Sequence, residues 1–147
     1  MSSDFMGRAV ELSTETIGGP FGAVIIKDVV IIGEGCNSVV PHCDPTAHAE
    51  IMAIRDACQH IKTHHLDGCE IYTSCYPCSM CLSAIYWSGI KRIVYANTRH
   101  DAEDIDFTDK FIYKQLRLPD DEKSIEIDRN IDLRAKRVLY NWSGQKY

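Results

Sequence analysis

Apolar residues recur at helical intervals from the start of the chain. Phe5, Met6, Ala9 and Val10 share one side of residues 4–17, and Gly18-Gly19-Pro20 stops the run, so an amphipathic helix is predicted there. β-Branched residues then crowd into FGAVIIK (21–27) and VVIIGEGCN (29–37), which meet near Asp28 and predict a hairpin buried on both faces. Asp44-Pro45-Thr46 supplies capping chemistry ahead of AHAEIMAIRDACQ, where Ile51, Ile54, Ala57 and Cys58 keep helical spacing and His48 falls in the first turn. EIYTS (70–74) reads as a third strand, and Pro77 pre-sets a helix through CSMCLSAIYWS that Gly89 closes. RIVYA (92–96) is a fourth strand. A helix at 109–116, the loop RLPDDEK, a short fifth strand SIEID and a last helix at 133–142 complete the pattern. Strands alternating with helices, without repeat or linker, predict one α/β domain over residues 1–147 around a mixed sheet, since the opening hairpin is antiparallel.

Composition narrows the class. A chain of 147 residues, 45% of them hydrophobic, has the size of a single domain with a real core. No stretch approaches the ~18 consecutive apolar residues of a spanning helix, and the N-terminus lacks a basic start followed by an apolar run. A soluble, cytoplasmic protein without a membrane partner is expected. In that setting the seven cysteines are expected as thiols, available to metal. Sixteen Lys plus Arg against 21 Asp plus Glu leave a net charge of -5, which disfavours a nucleic-acid partner. The basic clusters Lys91-Arg92 and Arg134 to Arg137 read as solvated surface.

The chemistry is concentrated in two short segments, His48-Ala49-Glu50 and Pro77-Cys78-Ser79-Met80-Cys81. Each alone is a weak signal, because H-x-E is common and C-x-x-C serves redox pairs and structural zinc as well. Joined, each opening a helix that follows strand material, they match the zinc deaminase signature. Cys78 and Cys81, three apart, can share a metal from one helix face, and a helix N-terminus favours the thiolate. With His48 they make three ligands for one Zn2+ per subunit, which leaves the fourth tetrahedral position to water, as a catalytic site requires. Glu50 is then the expected acid and base. Cys75 could instead complete a closed four-ligand structural site, but it precedes Pro77 at the strand end, and such a site leaves Glu50 without a role. Cys36, Cys43, Cys58 and Cys69 read as core or loop residues.

PFGAVI, GCNSVV, DPTAHAEIMAIRDAC, YTSCYPCSMCLSAIYWS and FTDKFIYK together make the chain resemble the bacterial guanine deaminases of the cytidine deaminase superfamily. The resemblance covers nearly the whole chain. It implies a three-layer α/β/α sandwich around a five-stranded mixed sheet, with the opening strands antiparallel and the later ones parallel. It implies hydrolytic deamination of guanine to xanthine and ammonia, and a homodimer that exchanges C-terminal segments, about residues 117–147 here. Asn37 would then read the purine edge, Phe21 would lie against the ring and Ala49 would supply backbone contacts. Asp109 and Tyr147 would complete a partner's pocket. Relatives usually carry Glu and Pro where Tyr76 and Ser79 stand, which alters charge and shape beside the first ligand cysteine.

Three alternatives stay open. DPTAHAEIMA is also close to tRNA adenosine deaminases, although the net charge of -5 argues against a tRNA substrate. Guanosine, cytosine or another aminated ring is a second possibility. A noncatalytic zinc-stabilised module is the third, and it predicts a metal saturated by four protein ligands.

Overall fold

The structure, a computed structural model, describes residues 4–147. Asp4 opens α1 (Phe5–Ser13) by accepting the Gly7 amide at 2.8 Å, satisfying a donor that a helix start otherwise leaves unpaired. α1 ends a turn before the glycine-rich stop that the pattern predicts. The Ser13 and Thr14 hydroxyls donate back to the Val10 and Glu11 carbonyls, an arrangement that competes with further helical bonding.

β1 (Gly22–Lys27) and β2 (Val30–Cys36) form the predicted hairpin. Lys27 pairs with Val30, and the two turn residues Asp28 and Val29 both take positive φ, 49° and 57°. That is the requirement of a type I′ turn, whose twist matches the flanking strands. β3 (Glu70–Cys75) joins β1 antiparallel and β4 (Arg92–Asn97) joins β3 parallel, so the sheet is mixed, in the order β2-β1-β3-β4. It has four strands and not the expected five. The segment 124–128 finds no ladder partner among the described residues, and Ile125 and Ile127 stay exposed. Alternating apolar residues make a strand only where an edge and a face receive them.

The layers follow from β1, whose first five residues are buried. Ala23 and Ile25 pack with Ala49, Ala53 and Ala57 of α3 (Ala49–Ile61) and Ile85 of α4 (Ser79–Ser88). Val24 and Ile26 face the other way, onto Leu12 and Phe5 of α1. The period of two thus divides one strand between two helical layers. α3 lies close on β2 because its alanines meet glycines. A Cβ added to Gly33 would come within 2.6 Å of the Ala53 carbonyl oxygen and the Ala57 Cβ, far inside contact distance, so only glycine lets the helix approach this nearly. That approach places the N-terminus of α3, where His48 and Glu50 lie.

Two short helices went unforeseen, α2 (Val39–His42) and α5 (Arg99–Glu103). α6 (Lys110–Arg117), a 3-10 turn at Asp120–Glu122 and α7 (Leu133–Trp142) follow. The chain divides into two compact units, one ending at Ile112 and one spanning Tyr113–Tyr147. Within the second, the Gln115 side chain accepts the Ser124 amide at 2.8 Å and the Asp132 carboxylate caps α7. Leu133, Val138, Leu139 and Trp142 are exposed. Among the described residues, no helix is long and apolar enough to cross a membrane.

Candidate active site

The loop before α3 is built by Asp44, whose carboxylate accepts both the Thr46 amide at 2.9 Å and the Thr46 hydroxyl at 2.7 Å. The turn delivers His48 to the N-cap of α3 with extended backbone, φ -67° and ψ 158°. Cys78 takes the same place on α4, with φ -66° and ψ 172°. This corrects the expectation of His48 inside the first turn and both cysteines on one helix face. A cap residue leaves the helical path, so its side chain can aim across the helix end.

The two helix starts converge there. His48 Nδ1 lies 3.5 Å from Cys78 Sγ and 3.5 Å from Cys81 Sγ, and all three atoms fall within 4.8 Å of one another. A tetrahedral zinc with bonds of ~2.0 Å to nitrogen and ~2.3 Å to sulfur separates such atoms by about 3.5 Å, so the donor set fits the ion in chemistry and spacing. Cys75 stands apart. It ends β3, its thiol donates to the Thr98 carbonyl at 3.6 Å, and burial together with the Glu50 charge pushes it up to about 11. It is therefore a protonated thiol engaged elsewhere, and among the described residues the ligand group has three members.

Titration within the cluster is polarised. Hydrogen bonds from Cys81 and then His48 bring Cys78 down to about 4, while Cys81 is pushed up by its bond to Cys78 and by burial. One thiolate is thus stabilised by its neighbours even without a cation, and the positive ends of two helices face it. Cys78 raises the affinity of His48 for a proton. Glu50 is only 6% exposed. Burial raises its carboxyl above the ordinary range, against the opposing pull of a hydrogen bond from Cys81. A carboxyl held above its ordinary range is suited to acid and base work.

Beside the cluster opens a cavity of about 260 Å3, lined by residues of the first unit. The lining includes His48, Ala49, Glu50 and Cys78 together with Phe21, Asn37 and Asp109. Asp109 therefore lines the cavity of its own chain, which corrects the expectation that it completes a partner's pocket, because it precedes α6 on the loop packed beside α5. Asn37 is 2% exposed, and its Oδ1 accepts the Val39 amide at 3.1 Å, which directs the amide donors away from that bond. Phe21 meets Phe107 edge to face at 4.8 Å. Asp109 pairs with Arg99 at 3.4 Å. Tyr147 belongs to the second unit and is 81% exposed.

Sequence reasoning missed Arg99 and Phe107 and treated Tyr76 only as a departure, yet all three line the cavity. Tyr76 meets Tyr95 edge to face at 5.0 Å. A signal for Arg99 did exist, since Thr98-x-x-Asp101 has the form of a capping box and opens α5. Phe107 opens the FTDKFIYK stretch that carries part of the resemblance, but no role was assigned to it there.

Comparison with known proteins agrees with this geometry. Residues 1–97 match the family model described as the cytidine and deoxycytidylate deaminase zinc-binding region. The chain is 52% identical to the guanine deaminase of Bacillus subtilis over 125 residues, 82% of this chain and 80% of that protein. The crystal structure of the Bacillus subtilis guanine deaminase superposes with a TM-score of 0.92 at 44% identity, covering 100% of this chain and 99% of that one. The tRNA-specific adenosine deaminase of Aquifex aeolicus is 44% identical over 77 residues, 52% of this chain and 51% of that protein. With a matching donor set and a matching fold, the chain belongs to the cytidine and deoxycytidylate deaminase zinc-binding family.

Proposed function

We propose that this protein hydrolyses guanine to xanthine and ammonia, with His48, Cys78 and Cys81 as zinc ligands and Glu50 as the proton carrier. The observation that carries the reading is the cavity that sets a buried carboxyl, Glu50, against a three-ligand metal site and places Asn37, Phe21 and Asp109 on its walls. A site short of one protein ligand argues against a purely structural zinc module. Zinc, when bound, supplies a water acidified toward neutrality and a positive charge against the oxygen that attacks. Glu50 takes the proton of the attacking water and gives it to ring N3 as the oxygen adds to C2. It then carries the second water proton to the amino group as the C2–N bond breaks, so ammonia leaves and xanthine remains. Phe21 lies against the ring, the Asn37 amide donates to the purine edge, Ala49 offers backbone groups, and the Asp109 carboxylate accepts a ring N–H.

A cavity of about 260 Å3 accommodates a bicyclic base. The net charge of -5 counts against a tRNA substrate, since such proteins present basic surface. We further place the protein in the cytoplasm as a homodimer. Residues 1–147 act as one domain whose segment from about 117 onward is exchanged, so that Tyr147 closes the partner's pocket. The uncovered Leu133, Leu139 and Trp142 support this, because apolar side chains in such a short segment call for a covering surface. Ammonia release from guanine, guanosine, adenine, cytosine, cytidine and adenosine-bearing tRNA tests the substrate. Turnover confined to guanine is expected, and preferential turnover of any other member overturns the assignment.

A further inference from the structure

The stretch between β4 and α6 is fastened by two ion pairs of reversed polarity. Arg99, at the first position of α5, reaches Asp109, its Nη2 3.4 Å from Oδ1. Glu103, one turn along the same helix, reaches Lys110, the residue after Asp109, at 3.1 Å. Cation meets anion and then anion meets cation, so the loop is clipped to α5 at two adjacent points. Only the first clip faces the cavity, which both Arg99 and Asp109 line. Their side chains are 38% and 19% exposed, against 70% for Lys110. The origin of α5 is itself set, because the Thr98 amide donates to Asp101 Oδ2 at 2.9 Å and the Asp101 amide donates to Thr98 Oγ1 at 3.1 Å. The capping box therefore determines where the Arg99 side chain departs.

We propose that Arg99 is a positioning residue for base recognition, which engages Oδ1 of Asp109 and thereby turns Oδ2 into the cavity as the acceptor of a ring N–H. The inference rests on the reading of Asp109 as a base contact. A carboxylate at a loop end turns about its last bond, and each binding event would have to arrest it. With one oxygen held by a guanidinium, that ordering is in place before the base arrives. Such an effect acts on ground state and transition state alike, so it belongs to KM more than to kcat.

The test uses the full-length zinc enzyme, with guanine as substrate. Arg99→Gln should raise KM about tenfold with kcat little changed, the scale of one charge-assisted hydrogen bond. Arg99→Lys, which keeps the charge, should stay nearer the wild type. Lys110→Gln breaks the outer clip and should leave KM unchanged. In an Asp109→Asn background, Arg99→Gln should add nothing, because the group it positions is already altered. An unchanged KM in Arg99→Gln, an equal rise in Lys110→Gln, or effects that multiply in the double variant would overturn the proposal. Should Arg99→Gln not fold, Arg99→Lys carries the same cycle, with a smaller rise that disappears in the Asp109→Asn background. If Asp109→Asn itself keeps the wild-type KM, the reading of Asp109 falls and this inference with it. If Asp109→Asn loses affinity while the Arg99 variants do not, only the inference falls.

Discussion

Glu50 sits where its charge is least at home, buried against the ligand cluster with the cavity beside it. That position is costly unless the side chain has work to do with protons. Glu50→Gln keeps shape and hydrogen bonding but cannot accept a proton, so turnover should fall by about 10²- to 10⁴-fold while metal analysis still finds one zinc per chain. A variant that retained near wild-type rates would remove Glu50 from the mechanism. The neighbouring cysteines separate in the same way. Cys81→Ser should lose zinc, because one of three ligands is gone, and Cys75→Ser should keep it, because that thiol bonds the Thr98 carbonyl and stands outside the cluster. Zinc content after dialysis decides between them, and equal losses would mean that Cys75 is a ligand. These residues were legible in the chain because their intervals are short and their chemistry uncommon. The places of Arg99 and Phe107 in the cavity were not, since a capping box and the FTDKFIYK stretch mark where they stand in the chain but no interval ties either to His48.

At the level of elements, burial periodicity located every strand of the sheet, and the errors lie where a partner decides. SIEID alternates as a strand should but finds no ladder. Helix ends moved where side-chain hydroxyls competed for carbonyls, as at Ser13 and Thr14. The hairpin turn offers a measurable consequence. Val29 holds φ 57° in an exposed type I′ turn, a conformation that costs a β-branched residue about 1–2 kcal/mol. Val29→Gly relieves that strain but loosens the unfolded chain, which offsets part of the gain, so a net stabilisation of about 0.5–1 kcal/mol is expected. Urea unfolding of the zinc-loaded protein measures it. A lower midpoint in the variant would show that the turn is not strained as its dihedrals indicate.

For the molecule as a whole, the exposed apolar side chains of residues 113–147 call for a covering surface. An exchanged tail makes a prediction that one chain cannot satisfy. Co-expressed Glu50→Gln and Tyr147→Ala, each inactive alone, should regain activity in mixed dimers, where one site receives both an intact Glu50 and an intact Tyr147. Sedimentation should give twice the chain mass. Monomers with full activity, or mixed dimers without recovery, would place the tail on its own chain's site. The sequence by itself determined the His48, Cys78 and Cys81 donor set, the carboxyl of Glu50 beside it, the layered α/β class and the two-faced burial of β1, because each depends on short intervals within the chain. Tertiary structure alone decided that His48 and Cys78 cap their helices, that the sheet stops at four strands, and that Phe21, Phe107, Arg99 and Asp109 share one cavity. Those outcomes depend on which surfaces meet, and packing brings together side chains between which the chain carries no local rule.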